Sequence, residues 1–157
     1  MQMLFREAIA EDIPTIFKVR VKVRENYLSL LELRNIGITQ ESVKEALKSD
    51  CKGWVAESDD LMVGFSIANK RTRSVWALFV LPEYEGQGIG RGLLELAMHW
   101  LWEQGYDEIW LDTGADPHSR ANGFYKYLGW KMKETTLHGQ FRYTFMRPLK
   151  INQPLNY

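Results

Sequence analysis

The sequence has few of the residues that define metal-binding, disulfide-rich or membrane proteins. It contains one cysteine, Cys51, and three scattered histidines, so it offers neither an internal disulfide nor a metal-ligand pattern. Its apolar runs are too short to cross a bilayer, and it does not open with a charged-then-apolar secretory leader. We therefore expect a reduced, cytoplasmic protein that holds no metal and has no membrane partner.

An excess of charge of one sign is also missing. The 20 basic and 20 acidic residues give a formal net charge of zero, with no block of like charges, and this balance disfavours a nucleic-acid partner. Hydrophobic residues make up 45% and charged residues 25% of the chain, as in a soluble globular protein. The length of 157 residues predicts one domain, residues 1–150, followed by a loose tail at 151–157.

Hydrophobic periodicity predicts seven strands and four helices. The strands are predicted at residues 4–8, 53–57, 61–69, 75–81, 107–113, 130–135 and 141–148. The first helix has Pro14 in its first turn and ends near Tyr27, and the others are predicted at residues 40–48, 90–104 and 117–128. Residues 28–38 are interpreted as an apolar loop or a short helical turn, and Thr39 as the N-cap of the second helix.

The order of these elements predicts a mixed sheet. Three successive strands between residues 53 and 81 indicate antiparallel pairing, whereas the strand–helix–strand unit from Val75 to Thr113 indicates at least one parallel pair. Residues 75–81 are nearly all apolar, which is typical of a central strand buried on both faces. The fold class is therefore α/β, with a mixed (α+β) sheet covered by helices.

A glycine-rich loop joins that strand to the helix at 90–104. In residues 86–92, Gly-Gln-Gly-Ile-Gly-Arg-Gly, alternating glycines let the backbone amides converge on one point near the positive end of the helix dipole, which suits a pyrophosphate. Leu93 stands where a dinucleotide fingerprint has its third glycine, and the Lys-Ser/Thr pair of a P-loop is missing. Two interpretations remain: a phosphate site of another kind, or a turn whose glycines only relieve backbone strain.

Two segments resemble known sequence motifs. Residues 78–94, LFVLPEYEGQGIGRGLL, are similar to the cofactor motif of the GNAT superfamily of N-acetyltransferases, and residues 121–130, ANGFYKYLGW, are similar to its second motif. The motifs occur in the family's order, joined by a helix and a strand, and the resemblance extends over residues 4–148. It implies a GNAT-like acyl-CoA N-acyltransferase fold in which two central strands splay apart at their C-terminal ends.

The resemblance also implies where acetyl-CoA binds. Its pantetheine arm is expected to enter the splay and pair with the backbone near Phe79 and Val80, while its pyrophosphate rests on main-chain amides. These amides are those of Gln87, Gly88, Ile89, Gly90 and Arg91. Two positions depart from the family pattern: Glu85 replaces the usual Arg or Gln at the head of the loop, and His118 stands where an Asn often contacts the cofactor.

Acetyl transfer to an amine has three chemical requirements. The amine must be neutral to attack, although a free lysine has a pKa of about 10.4 and is mostly protonated at pH 7. The tetrahedral oxyanion needs a hydrogen-bond donor, for which a main-chain amide near Val80 is the candidate, and the departing thiolate benefits from a proton. The family motif places a tyrosine, here Tyr125, as the general acid. For the general base we consider Asp112, near a strand end, and His118, because histidine titrates near neutral pH. Asp116, in the same loop as His118, His138, in the loop between the last two strands, and ordered water without a protein base are the remaining alternatives.

Three residues near the end of the predicted first helix are candidates for acceptor binding. Arg20, Arg24 and Tyr27 are spaced i, i+4 and i+7 and therefore share one helical face. In relatives this helix end borders the acceptor pocket, where a guanidinium would bind a carboxylate of the acceptor. The alternative is a pair of solvated or internally salt-bridged arginines.

The resulting prediction is an enzyme, an N-acetyltransferase that moves the acetyl group of acetyl-CoA directly to a primary amine of a small molecule or peptide. The predicted central strand lacks the glutamate that many relatives carry there, so a non-catalytic module that binds or senses acyl-CoA is the alternative. A nucleotide-binding protein is a third interpretation. The late strands would also allow pairing into a homodimer.

Overall fold

The computed structural model describes residues 3–23 and 27–149 of the chain. This described part contains seven strands and five α-helices. The strands are β1 Met3–Glu7, β2 Cys51–Ser58, β3 Leu61–Asn69, β4 Ser74–Val80, β5 Glu108–Thr113, β6 Lys131–Thr135 and β7 Phe141–Met146. The helices are α1 Ile13–Arg20, α2 Leu30–Asn35, α3 Gln40–Lys48, α4 Ile89–Glu103 and α5 Arg120–Tyr127. The predicted tail, 151–157, lies outside the described residues, so the division into a domain and a tail stays a prediction.

All seven strands form one sheet in the order β1-β2-β3-β4-β5-β7-β6. Neighbours are antiparallel except β4 and β5, which are parallel. The predicted mixed sheet is therefore confirmed. Within the described residues, the parallel pair is joined through one residue pair, Ser74 and Trp110, so the sheet is almost divided between β4 and β5.

Helices cover both faces of the central strand β3. The Ser66 hydroxyl donates a hydrogen bond to the Leu93 carbonyl of α4 at 3.0 Å, so one face of the strand meets α4. The adjacent side chains of Phe65 and Ile67 point to the opposite face, where α1 and α3 lie. One face of α4 is apolar and packs against the sheet, and its fully buried residues are Leu93, Leu94, Ala97 and Leu101.

β4 differs from the predicted strand in its burial. Ser74 and Val75 are buried, but Trp76 is 41% exposed and residues 77–80 are only partly buried. The prediction of a strand buried on both faces is therefore wrong for most of its length. Because β5 leaves β4 after one residue pair, the C-terminal half of β4 lines open space instead of core.

The first helix is shorter than predicted. It ends at Arg20 and not near Tyr27. Val21 and Val23, which follow the helix, are β-branched residues that lose side-chain freedom in a helix, so the local sequence does not favour its continuation. The prediction of one continuous helix to Tyr27 is wrong.

Side-chain caps define the next two helices. The Glu32 amide donates to the Ser29 hydroxyl at 3.1 Å and starts α2, so the segment interpreted as a loop or a helical turn contains a short helix. The Ser42 amide donates to the Thr39 hydroxyl at 3.1 Å and starts α3, which confirms Thr39 as an N-cap. None of the described helices is long and apolar enough to cross a membrane.

Candidate active site

β4 and β5 separate beyond their single residue pair. The Trp110 amide donates to the Arg73 carbonyl at 3.2 Å, and in the described part of the chain no later residue of β4 pairs with β5. Phe79 and Val80 remain paired with β3 on their other side. Their edge that faces β5 is therefore open to an extended chain placed between the strands. The predicted splay is confirmed.

Two cavities of about 370 Å³ each meet at this opening, and Phe79 lines both. The first, the loop cleft, is lined by Val23, Leu78, Phe79, Val80, Tyr84, Glu85, Gly86, Gly88, Gly90, Arg91, Arg120, Ala121, Phe124, Tyr125, Tyr127 and Leu128. The second, the apolar cavity, is lined by Ile16, Phe17, Arg20, Leu28, Leu33, Ile36, Ile38, Val43, Phe65, Ile67, Ser74, Val75, Trp76, Ala77, Phe79, Trp110, Asp112, Thr113 and Gln140. One site can thus hold two ligands that meet near Phe79.

The glycine loop forms the N-terminal end of α4. Gly86 and Gly88 have φ values of +76° and +82°, a left-handed conformation that disfavours any side chain. The Gly92 amide donates to the Gly88 carbonyl at 3.0 Å, so the amides that precede Gly92 in the first turn point out of the helix end. Together with the positive end of the helix dipole, these amides can bind a diphosphate.

The predicted phosphate-binding residues take different positions in this loop. Gly88, Gly90 and Arg91 line the loop cleft. The Ile89 side chain is buried in the core, so Ile89 can offer only its main-chain amide. Gln87 is exposed beside the cleft. This arrangement suits a ligand that is bound mainly by backbone atoms.

An ion pair joins the glycine loop to α5. The Nε atom of Arg120 lies 2.6 Å from the Glu85 Oε2 atom, and both side chains line the loop cleft. Glu85 was a departure from the family pattern that would place an unhelpful negative charge beside a diphosphate. Arg120 neutralises this charge and places a guanidinium at the same part of the cleft.

Tyr125 lines the loop cleft from α5 and is 7% exposed. Its ring packs against Phe124, Tyr143 and Trp130, with centroid distances of 5.3, 5.8 and 6.0 Å. Burial raises the pKa of Tyr125 well above its ordinary value of about 10. The hydroxyl therefore stays protonated at neutral pH, which is the form that a general acid needs.

A buried asparagine fixes the loop that precedes α5, and sequence reasoning missed it. Asn122 is fully buried; its Nδ2 donates to the carbonyls of Gly114 at 2.9 Å and Asp116 at 2.7 Å. The Tyr143 hydroxyl donates to its Oδ1 at 2.6 Å. The sequence did contain a signal for this asparagine. Asn122 and Tyr125 are spaced i, i+3 and therefore lie on the same face of the helix, and a polar residue on the packed face of a helix requires hydrogen-bond partners.

Asp112 lines the apolar cavity but is held in an ion pair. Arg142 lies opposite it on β7 and donates from Nε at 2.8 Å and from Nη2 at 3.0 Å to the two carboxylate oxygens. The guanidinium also lies 3.9 Å from the centre of the Trp110 ring. These contacts favour a structural task for Asp112, and its use as a base stays a prediction.

The other titratable candidates do not reach the described cavities. His118 is exposed, its amide donates to Asp116 Oδ1 at 2.9 Å, and it lines neither the loop cleft nor the apolar cavity. Its predicted roles as a base and a cofactor contact stay predictions.

Burial raises the pKa of the Cys51 thiol to about 11, so it is not a reactive thiolate at neutral pH. The described residues contain no group of three or more His, Cys, Asp or Glu that could hold a metal ion.

Arg20 is the acceptor-binding candidate that lines the apolar cavity. Its guanidinium carbon lies 4.1 Å from the centre of the Phe79 ring. Burial lowers the pKa of Arg20, although arginine remains charged at physiological pH. Tyr27 is exposed and lines neither cavity; because α1 ends at Arg20, these two residues do not share a helical face. Arg24 lies outside the described residues.

Comparisons with known proteins agree with this geometry. The family model described as "Acetyltransferase (GNAT) family" matches residues 16–130. N-acetyltransferase 8 of Homo sapiens is 34% identical over 87 residues, which are 50% of this chain and 37% of that protein. N-acetyltransferase 8B of Homo sapiens is 32% identical over 100 residues, which are 57% of this chain and 43% of that protein. The chain thus spans less than half the length of these relatives.

A solved structure shows the same fold. The PaiA N-acetyltransferase from Thermoplasma acidophilum, in complex with coenzyme A, superimposes with a TM-score of 0.76 at 21% identity. The alignment covers 93% of this chain and 99% of that one. The two proteins therefore share the same overall fold.

Proposed function

Because this chain belongs to the acetyltransferase (GNAT) family, we propose that it moves the acetyl group of acetyl-CoA directly to a primary amine of a small molecule or peptide. The observation that carries the proposal is the open edge of β4 at Phe79 and Val80. This edge connects the glycine loop with the apolar cavity, so a long ligand anchored at the loop can present its far end to a second ligand.

The residues of the loop cleft fit acetyl-CoA. When bound, acetyl-CoA supplies the acetyl group as a reactive thioester. The first-turn amides of α4, with Arg91 and Arg120 nearby, bind the diphosphate, and the free edge of Phe79 and Val80 pairs with the amide-containing arm. Tyr125 holds a proton that it donates to the departing sulfur.

Removal of the amine proton is assigned to water in this proposal. Asp112 lines the acceptor side but is bound by Arg142, and His118 lines neither cavity. An acceptor that enters the apolar cavity loses solvent, which favours its neutral form. Asp112 and His118 remain the candidate protein bases. The cytoplasmic location and a homodimer also remain predictions.

Acetyl-CoA should stabilise the protein against heat. At a concentration about a hundredfold above Kd, binding adds about 2.7 kcal/mol to the free energy of unfolding, which corresponds to a rise in Tm of about 5–10 °C. NAD and ATP at the same concentration serve as controls and should leave Tm unchanged. Release of free thiol is then followed with a panel of primary amines.

The two measurements separate the alternatives. A rise in Tm with amine-dependent thiol release supports the proposed enzyme. A rise in Tm without thiol release above the buffer rate supports an acyl-CoA sensor. An unchanged Tm at millimolar acetyl-CoA contradicts both.

Arg120 should contribute to CoA affinity through its charge. Arg120→Gln leaves Glu85 uncompensated beside the diphosphate, and we expect Kd for CoA to rise about fivefold, equivalent to about 1 kcal/mol for an exposed pair. Glu85→Gln should lower Kd or leave it unchanged. Calorimetric titration at low and high salt measures the Kd of both variants. The difference between the Kd of Arg120→Gln and that of the unmodified protein should shrink at high salt, because salt screens the charges.

A matched control for this pair is Lys48→Gln, which removes a cation from the exposed Glu45–Lys48 pair on α3. It should leave Kd unchanged. If Arg120→Gln behaves like this control at low salt, Arg120 does not contact the cofactor and only ties α5 to the loop.

A further inference from the structure

Gly64 lies on β3 between α4 and the open end of β4. It pairs with Val80 across the antiparallel ladder, and Ser66, two residues later, donates to the Leu93 carbonyl of α4. Because residues two apart on a strand share one face of the sheet, Gly64 also faces α4. It therefore lies where the two parts of the proposed acetyl-CoA site meet, the N-terminal end of α4 and the free edge of β4.

The main-chain groups of Val80 point into the opening between β4 and β5. The Leu81 amide donates to the Val63 carbonyl at 2.8 Å, so these two residues form a hydrogen-bonded pair of the ladder. In an antiparallel ladder such pairs alternate with pairs that are not hydrogen-bonded, and Gly64 and Val80 form the next pair. The Val80 amide is thus directed away from β3, toward the place where the proposed reaction needs a hydrogen bond to the oxyanion.

Position 64 has no room for a side chain. A Cβ atom there would lie 2.9 Å from the Phe79 carbonyl oxygen, 3.1 Å from a Leu93 methyl carbon and 3.3 Å from a Val80 methyl carbon. These distances are below the optimal separation of non-bonded atoms. The shortest one involves backbone, so the main chain of β4 has to move if Gly64 gains a methyl group.

The side chain of Val80 also connects this point to the glycine loop. Its Cγ2 atom would lie 3.7 Å from a Cβ atom at Gly90, in the first turn of α4, which is an ordinary packing distance. Val80 is therefore packed between Gly64 and the turn whose amides would bind the diphosphate. On the basis of the proposed function, we infer that Gly64 is a positioning residue, whose missing side chain sets the distance between the diphosphate-binding turn and the Val80 amide.

Two acetyl donors of different length test this spacing. Acetyl-CoA is bound at both the α4 turn and the β4 edge, whereas S-acetyl-N-acetylcysteamine carries only the thioester end and can follow the strand when it moves. In Gly64→Ala, we expect kcat/KM for acetyl-CoA to fall roughly 10- to 100-fold relative to kcat/KM for the short donor, because a misplaced substrate loses its reactive geometry. A loss of folded protein alone lowers both values by the same factor.

Val55→Ala is the matched control. Val55 is fully buried on β2 and lines neither cavity, so its truncation lowers stability without crowding β4. This variant should keep the ratio of the two kcat/KM values. Calorimetric titration with CoA, at a temperature where the variants are folded, gives a readout that does not need turnover. Kd should rise about tenfold in Gly64→Ala and stay unchanged in Val55→Ala.

Val80→Ala covers the case in which Gly64→Ala does not fold. It removes the methyl groups that pack between Gly64 and Gly90, and it should lower the same ratio. Direct contacts of this side chain with the thioester arm are lost for both acetyl donors, so only a changed spacing alters the ratio. An unchanged ratio and an unchanged Kd in the folded variants overturn the inference and leave the proposed function in place. If CoA binds but neither donor transfers its acetyl group, the proposed function fails, and the Kd values decide the role of Gly64.

Discussion

Replacement of Tyr125 by phenylalanine should lower kcat about a hundredfold or more, the usual contribution of a general acid. The hydroxyl is the group removed, while the ring that packs against Phe124, Trp130 and Tyr143 is kept. Stability and the Kd for acetyl-CoA should therefore change little. Steady-state release of thiol, measured with the best acceptor of the amine panel, gives kcat and KM separately.

The pH dependence gives a second test of the same assignment. Burial raises the pKa of Tyr125, so its proton is retained through the ordinary tyrosine range. Activity should rise with pH as the acceptor amine loses its proton, with no decline caused by Tyr125 below about pH 10. If activity instead declines below about pH 10, and this decline is absent in Tyr125→Phe, Tyr125 loses its proton in that range and the assignment is contradicted.

A control variant should remove a tyrosine hydroxyl elsewhere. Tyr106 donates its hydroxyl to the Lys70 carbonyl and lines neither cavity, so Tyr106→Phe should keep kcat. If Tyr125→Phe and Tyr106→Phe have the same kcat, Tyr125 is a packing residue and another group or water protonates the sulfur.

Asn122→Ala should lower the free energy of unfolding more than Tyr143→Phe does. The change leaves the carbonyls of Gly114 and Asp116 and the Tyr143 hydroxyl without their partner in a buried place. Each unsatisfied group costs about 1 kcal/mol or more, so we expect a loss of about 3 kcal/mol and a fall in Tm of about 10 °C. Thermal or urea unfolding measures this directly.

Tyr143→Phe provides the graded comparison. It removes one hydrogen bond of the Asn122 network and keeps the aromatic packing, so a loss of about 1 kcal/mol is expected. Equal losses in the two variants would show that the bonds to the loop carbonyls contribute nothing. That outcome would contradict the view that Asn122 fixes the loop between β5 and α5.

Much of the fold was accessible from local signals in the sequence. Thr39 is followed by a helix at residues 40–48, and β3 covers residues 61–69, both as predicted, because a capping residue and a turn act within a few residues of chain. The GNAT assignment and the fold class are confirmed as well. These two depended on motifs that keep their order and spacing along the chain.

The errors concern features set by tertiary contacts. The apolar run at 75–81 indicated a fully covered strand, but one residue pair with β5 leaves most of it facing cavities. The first helix was predicted too long because its hydrophobic spacing continues through valines that do not sustain a helix. Periodicity describes which face is apolar and does not say what covers it.

The candidate site also combines features that follow from local sequence motifs with features that depend on tertiary contacts. The glycine loop and Tyr125 lie within short motifs, so their place in the cleft could be predicted. Arg120 compensates Glu85 from another element, and Arg142 holds Asp112 across two strands; no pattern in one sequence reveals such partners. The role assigned to each of these residues remains a prediction, which the corresponding variant tests.

The division of the two cavities between separate parts of the chain affects how specificity can change. Five aliphatic residues that line the apolar cavity come from residues 28–43, whereas the loop cleft is lined almost wholly by residues 78–128. In the proposed function, substitutions at Leu33, Ile36 or Val43 would therefore change the choice of acceptor without changing the residues that bind the donor. Phe79 lines both cavities, so a substitution there would be expected to affect both substrates.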